Sequence, residues 1–342
     1  MQLTDLALLP DLLYLFVFGP GFGESIVLRV PPDEWIVVDS LRHQTKLEDA
    51  NPALQLLTAH DATVAAIALT HRHRDHAHGL YQLLDRRRQG SPVGRTDVFA
   101  TPDEGWRGSQ DASFVLDTGT VASLLNRIDH IWINDPPSKW MLVEGATRTV
   151  GEATIEVLSP PANSQPRKGD LNRLSSAMLV RWHECQILLG ADLSVPGWRA
   201  VAKGVPPATG FATSQALKVA HHGSKSAQHA TAIGVPPPRD RACVATPFNR
   251  GRQLPSYADD HGVDLLLRTH LAVGVTAAPA HARGAATPRR KMQPQREQFG
   301  ALTLTHELTK AVPSEAWIAS AFDSAGARVG TWYGDAAGSV VA

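Results

Sequence analysis

The chain is short of the residues that staple, span or polarise a protein. Only two of its 342 residues are cysteine, Cys185 and Cys243, far apart and without metal-site spacing. That excludes a disulfide framework and a cysteine-ligated zinc site, and it fits a reducing cytoplasm. Long apolar runs are also missing. The stretch from Leu6 to Phe18 is interrupted by Pro10 and Asp11, follows no basic segment and precedes no clean cleavage site. It is too short to cross a bilayer and reads as a first core strand, so no membrane association is expected. Net charge is absent too, with 33 Lys and Arg against 33 Asp and Glu. Bulk attraction to nucleic acid or acidic lipid is excluded, and any such contact must come from a local patch. No repeat recurs at a fixed period. What the sequence does carry is a 43% share of hydrophobic residues, enough for one large domain or two small ones, and 15 unevenly spread histidines.

Strand and helix signals are mixed along the whole length. Leu12 to Phe18, Ser25 to Val30 and Trp35 to Val38 are β-rich runs separated by Gly/Pro turns, the pattern of an antiparallel meander. Helices are predicted over Leu47 to Leu57, Gly79 to Arg88 and Val121 to Ile131, and from Ser226. Short apolar runs at Val64 to Leu69, Val98 to Ala100, Leu217 to Ala220, Ala242 to Ala245, Leu265 to Leu267, Ala301 to Thr305 and Trp317 to Ala321 read as strands. Ala177 to Trp182 and Gln186 to Leu189 read as a hairpin turning at His183-Glu184. From Ala277 to Gln298 the composition shifts to Ala, Pro, Gly and Arg, a flexible basic insertion whose core is 281–296. Strands and helices in this mixture suit a sandwich of two sheets with helices on the outer faces.

The chemistry concentrates in Thr70-His71-Arg72-His73-Arg74-Asp75-His76, directly after the apolar strand Val64 to Leu69 and before a helix. In extended chain, residues two apart point the same way, so His71 and His73 can converge on one ion. The turn into the helix brings Asp75 and His76 to a second position. Neutral imidazole and carboxylate suit zinc, manganese or iron. His60, His130, His261, His270 and His306 are isolated and read as ordinary surface or packing residues; His78 falls one turn into the helix.

His-x-His-x-Asp-His after a hydrophobic strand resembles the metallo-β-lactamase superfamily. That resemblance implies an α/β fold, an αββα sandwich of two mixed sheets, over residues 1–270; it does not explain 271–342, a basic flexible insertion and C-terminal strands expected to complete the same domain. It implies two divalent metal ions, zinc or manganese, held by His71, His73, Asp75, His76, Asp192 and His222. Asp39, at a strand end, matches the family's ligand-orienting Asp, and Gly190-Ala191-Asp192 matches the motif whose Asp bridges the metals. Asp75 and His221 take the catalytic roles, one orienting the attacking hydroxide and the other facing substrate; which of the tandem pair His221-His222 binds metal stays open. Ser224 and Lys225 are placed to touch a phosphate or, equally, to cap and solvate the next turn.

Within the superfamily the chain is most similar to the soluble hydrolase domain of ComEC DNA-uptake proteins and their stand-alone relatives. The shared features are the turn Gly21-Phe22-Gly23-Glu24-Ser25, the segment Asn172-Arg173-Leu174-Ser175, and Lys218-Val219-Ala220-His221-His222-Gly223-Ser224. The branch implies a phosphodiesterase or nuclease, nucleic acid as substrate, and partner proteins in a bacterial defence complex. Two departures stand out. Asn172 occupies the place of a metal-binding His in many members, and an oxygen donor there favours manganese while leaving zinc open. Leu254 stands where branch relatives carry a His before Pro255. The second departure opens the alternative of a small-molecule ester, thioester or lactone hydrolase. A third reading keeps the metals for a structural role in a multiprotein complex.

Overall fold

A computed structural model of the chain describes residues 3–42, 51–80, 82–84, 98–101, 138–162, 164, 171–204, 211, 213–233, 240–249, 254–255, 262–277, 303–304 and 315–341. The first sheet begins with a meander, β1 (Leu13–Phe18), β2 (Ser25–Val30) and β3 (Glu34–Val38), each antiparallel to the next. It continues in parallel through β4 (Val64–Ala68), β5 (Val98–Thr101) and β6 (Ser138–Met141). The second sheet holds β7 (Thr147–Val150), β8 (Ala153–Val157), β9 (Met178–Trp182), β10 (Cys185–Leu189), β11 (Ala216–Lys218), β12 (Ala242–Ala245), β13 (Ala272–Val275) and β14 (Thr303–Leu304). The chain then returns to the first sheet with β15 (Trp317–Phe322) against β1 and β16 (Arg328–Tyr333), and ends in the second with β17 (Gly338–Val341) against β13. The result is a sheet of eight strands and a sheet of nine, both mixed.

The alternation of β1 shows how the layers are made. Leu13, Leu15 and Val17 enter a cluster with Ile155, Val180, Ile187 and Val244 of the other sheet. Tyr14, Phe16 and Phe18 face the opposite way, onto Leu56 and Leu57 of helix α1 (Pro52–Ala59) and onto Leu80 and Leu83. All six β1 residues are buried, the mark of a strand covered on both faces. Side chains of this size each contribute about 1.5–3 kcal/mol when fully buried. The outer face of the second sheet is covered in the same way by Trp198 and Val201, from the helix Val195–Gly204, with Val263, Leu266 and Leu267. This is the αββα metallo-β-lactamase architecture.

The run Leu265 to Leu267 is helical, within Val263–Leu267, rather than a strand. Val263, Leu266 and Leu267 are its buried positions, the spacing of one helix face, and leucine lacks the β-branching that favours a strand. The helix expected from Ser226 is instead a 3₁₀ turn over Lys225–Ala227 followed by a short helix over Ala230–Ile233. The helix predicted over Val121 to Ile131, the basic segment 281–296 and the Arg86 to Arg88 run lie outside the described residues. Among the described residues, no helix is long and apolar enough to cross a membrane.

Candidate metal centre

The proposed site residues meet at one end of the sandwich. Asp39 follows β3, the His71 to His76 loop follows β4, Asp192 follows β10, and His221 and His222 follow β11. β3 and β4 are parallel, as are β10 and β11, so all of these loops leave from carboxyl ends, where open α/β sheets bind ligands. Asp39, Ala191, His221 and His222 adopt left-handed backbone conformations, with φ of 58°, 45°, 47° and 53°. Non-glycine residues held there cost energy and cluster at functional sites. Two consecutive left-handed residues at His221 and His222 send the neighbouring imidazoles different ways, with ring centroids 6.3 Å apart at 61°.

Hydrogen bonds fix which nitrogen each imidazole offers. Asp39 Oδ2 accepts from His76 Nδ1 at 2.7 Å and from Thr70 Oγ1 at 2.7 Å. Having donated its own proton, the Thr70 hydroxyl accepts from His71 Nδ1 at 3.0 Å. On the other side, Thr246 Oγ1 donates to Glu24 Oε2 at 2.7 Å and so accepts from His222 Nδ1 at 2.9 Å. In their neutral forms His71, His76 and His222 are therefore all left with bare Nε2 atoms. Such anchoring of the far nitrogen is the usual support of a metal-binding imidazole.

Those bare atoms face acceptors. His71 Nε2 lies 3.6 Å from Asp192 Oδ2 and 2.8 Å from His73 Nδ1. His76 Nε2 lies 3.4 Å from Asp192 Oδ1 and 3.6 Å from Asp75 Oδ2, and His222 Nε2 lies 3.3 Å from the same Asp75 oxygen. Asp192 thus turns one oxygen to His71 and the other to His76 and His222. His76 Nε2 and Asp192 Oδ1 are buried without a hydrogen-bond partner.

The electrostatics point the same way. Glu24, Asp39 and Asp192 are fully buried or nearly so, and Asp75 is largely buried, with the buried ammonium of Lys218 against Glu24. Burial raises the Asp192 pKa, but the His76 and His222 charges outweigh it and hold the carboxyl well below its usual range. Burial, with the neighbouring His71, pushes the His73 imidazole down to about 3, so it is neutral and able to ligate. Burial lowers the His76 pKa, but Asp192, Asp39, Asp75 and Glu24 outweigh it and hold it well above its ordinary value, so without an ion a proton takes the cation's place. Buried carboxylates facing imidazoles in this way are a cation-binding donor set, and the residues fit a metal centre.

His71, His73 and Asp192 come close enough to share one ion. Glu24, His76 and His222 also come together, but Glu24 is already ion-paired with the buried Lys218 ammonium. The nitrogens of His76 and His222 facing Glu24 are the protonated Nδ1 atoms, so this cluster is a support rather than a second cradle.

His221 is less buried than His222 and sits nearer the mouth, with Nε2 3.9 Å from Asp192 Oδ2 and 3.1 Å from Asn172 Nδ2. Ser224 Oγ accepts from Ser226 N and contacts Ser226 Oγ at 2.9 Å, capping the turn, while Lys225 is exposed on it. His183 lies in the β9–β10 turn beside Glu152, at the opposite end of β10 from Asp192. Sequence reasoning singled out neither Thr70, Thr246, Lys218 nor Glu24 as site residues. A lysine in the otherwise apolar strand Ala216–Lys218 was the available signal.

Residues 18–155 match the Metallo-beta-lactamase superfamily model, a span that includes Asp39 and the whole His71 to His76 motif. That span is 138 of the chain's 342 residues, and over it the chain is similar to the metallo-beta-lactamase superfamily. Solved structures similar to this chain include CmlA, a diiron beta-hydroxylase from Streptomyces venezuelae, at 18% identity and TM-score 0.36, with 63% of this chain and 35% of CmlA covered. The metallo-beta-lactamase fold protein YhfI from Bacillus subtilis is similar at 14% identity and TM-score 0.38, over 64% of this chain and 75% of YhfI. Zn(2+)-bound PqqB from Methylobacterium extorquens is similar at 13% identity and TM-score 0.31, over 60% and 69%. The chain therefore spans about a third of the length of CmlA. No curated protein matches it.

Proposed function

We propose that this chain is a dinuclear metal-dependent hydrolase and that its bond is a phosphodiester. The observation that carries the hydrolase reading is the Asp192 carboxylate, buried between the His71–His73 pair and the Asp75–His76–His222 group with one oxygen toward each. His71 and His73 would hold one ion, Asp75, His76 and His222 the other, and Asp192 both. When bound, a pair of zinc or manganese ions supplies Lewis acidity and a water-derived nucleophile near neutral pH.

The chain's own residues do the rest. Asp39 and Thr70 hold His71 and His76, and Thr246 holds His222, so the ligands need little reorganisation. His221, partly exposed at the mouth beside Asn172, is placed to give a hydrogen bond or a proton to the leaving oxygen. Asp75, with an oxygen turned inward, is placed to orient the attacking group. The phosphodiester preference is supported by the Lys-Val-Ala-His-His-Gly-Ser motif shared with ComEC-like domains, by exposed Lys225 beside it, and by Arg42 and Arg74 on the adjoining cleft wall.

One observation favours the small-molecule alternative. Leu254, where branch relatives carry a histidine, is buried and bonded both ways to Phe248, at 2.9 and 3.0 Å, so that corner offers no imidazole. The test is to quantify zinc and manganese in the untagged chain and to assay bis-p-nitrophenyl phosphate and single- and double-stranded DNA against His73→Ala. Metal-dependent diester cleavage lost in the variant supports the proposal. DNA cleavage should fall steeply with salt. Salt-tolerant turnover of small esters, with diesters untouched, would replace it with the alternative.

A further inference from the structure

Beside Asp75 opens a cleft whose wall carries more than a metal centre requires. It is lined by Phe22, Phe248, Arg42, Arg74, His78 and Asp75, and occupies about 410 Å³ including the part open to solvent.

The two rings are held by backbone rather than by packing alone. Phe22 sits in the turn between β1 and β2, and Phe248 follows β12 on the other sheet. They are joined by an isolated bridge, and Asn249 N donates to Gly21 O at 2.7 Å. Phe248 pairs with Leu254 on its other side and stacks on His222, 5.1 Å between centroids at 22°. The stacking fixes Phe248 directly against one of the site imidazoles. The wall also carries charged groups. Arg42 and Arg74 bring two permanent cations, while Asp75 directs its Oδ2 at His76 and His222, into the centre.

An aromatic wall bearing two arginines and opening onto a hydrolytic centre matches a ligand with a planar ring and an anion attached. We infer that this cleft is a nucleotide subsite: it takes the nucleoside flanking the scissile phosphodiester, with the base against Phe22 and Phe248 and a phosphate on Arg42 and Arg74. The inference rests on the phosphodiesterase reading above and gives it a substrate class. Every base has a π face, so the subsite selects nucleic acid without selecting sequence.

The test is equilibrium binding, which requires no turnover. AMP, adenosine and inorganic phosphate are titrated into the zinc-loaded full chain by calorimetry. AMP should bind about tenfold more tightly than inorganic phosphate, the contribution of one stacked base. Phe248→Ala should bring that ratio to about one, and Arg42→Gln should weaken AMP and phosphate together. Because Phe248 also touches His222, Phe22→Ala is measured alongside, with zinc content determined for each variant. AMP binding no tighter than phosphate, or a ratio unchanged in both phenylalanine variants with zinc retained, overturns the subsite. Hydrolysis of bis-p-nitrophenyl phosphate by the same preparations separates the two claims. AMP preference without hydrolysis supports the subsite and removes the phosphodiesterase reading, whereas hydrolysis without AMP preference removes the subsite alone.

Discussion

Asp39 reaches two imidazoles of the candidate metal centre, one directly and one through Thr70. Its Oδ2 is 2.7 Å from His76 Nδ1, and the Thr70 hydroxyl it accepts from is 3.0 Å from His71 Nδ1. Its other oxygen accepts Thr70 N at 2.8 Å, pinning the start of the ligand loop. Asp39→Ala should therefore loosen both halves of the centre. The expected loss of metal affinity is about 10–100-fold, the usual effect of removing such a support. Thr70→Val, which cuts only the His71 arm, should lose less. Competition against a chromogenic chelator measures both.

Lys218 and Glu24 form an ion pair with no exposed side-chain surface on either partner, joining the start of β2 in one sheet to the end of β11 in the other. Burial alone would raise the Glu24 carboxyl, but Lys218, and then His76 and His222, bring it below its usual range. Lys218→Met leaves that carboxylate buried without its partner and should cost about 3–5 kcal/mol. Adding Glu24→Gln removes the stranded charge, so the double variant should be more stable than Lys218→Met. Urea unfolding of the metal-free variants gives both values.

The line between what was legible and what was not follows from the physics of the residues. The placement of the His71 to His76 loop was legible because a strand-loop-helix signal and a two-residue imidazole spacing are local. The two-sheet sandwich was legible because β1 to β3 and the β9–β10 hairpin announce themselves by short apolar runs and turns. Glu24 and Lys218 were not, because each acquires its role only when β2 and β11 face each other across the sandwich. The helix at Val263–Leu267 was misread because five apolar-rich residues are too few for periodicity to separate helix from strand.

His270 lies after that helix, away from the metal-ligand loops, and is 3% exposed. Burial pushes its imidazole from the ordinary 6.5 down to about 4; the nearby Arg241 charge adds to this and the hydrogen bond to Leu266 O opposes it. Below 6.5 the unfolded chain takes the proton that the folded chain refuses. The contribution is thus whole above pH 6.5, is lost as pH falls toward 4, and changes no further below. At 1.36 kcal/mol per pH unit this amounts to about 3 kcal/mol. His270→Leu should remove that part of the slope, which the difference between wild-type and variant unfolding free energies at pH 7, 5.5 and 4.5 reads directly.

The tandem histidines give the sharpest division of roles. His222 is 1% exposed, is held at Nδ1 by Thr246, and faces Asp75 and Asp192 with Nε2. His221 lies nearer solvent, next to Asn172, and burial lowers its pKa, leaving a neutral ring that can exchange a proton with a substrate at neutral pH. His222→Ala should lose bound metal. His221→Ala should keep the metal content of the wild type and lose about 10²–10⁴-fold in diester turnover, the range for a removed general acid or base. Metal analysis and turnover on the same samples decide between the two. If His221→Ala loses metal and His222→Ala retains it, the two side chains exchange roles, and the Asp75–His222 contact becomes a structural one.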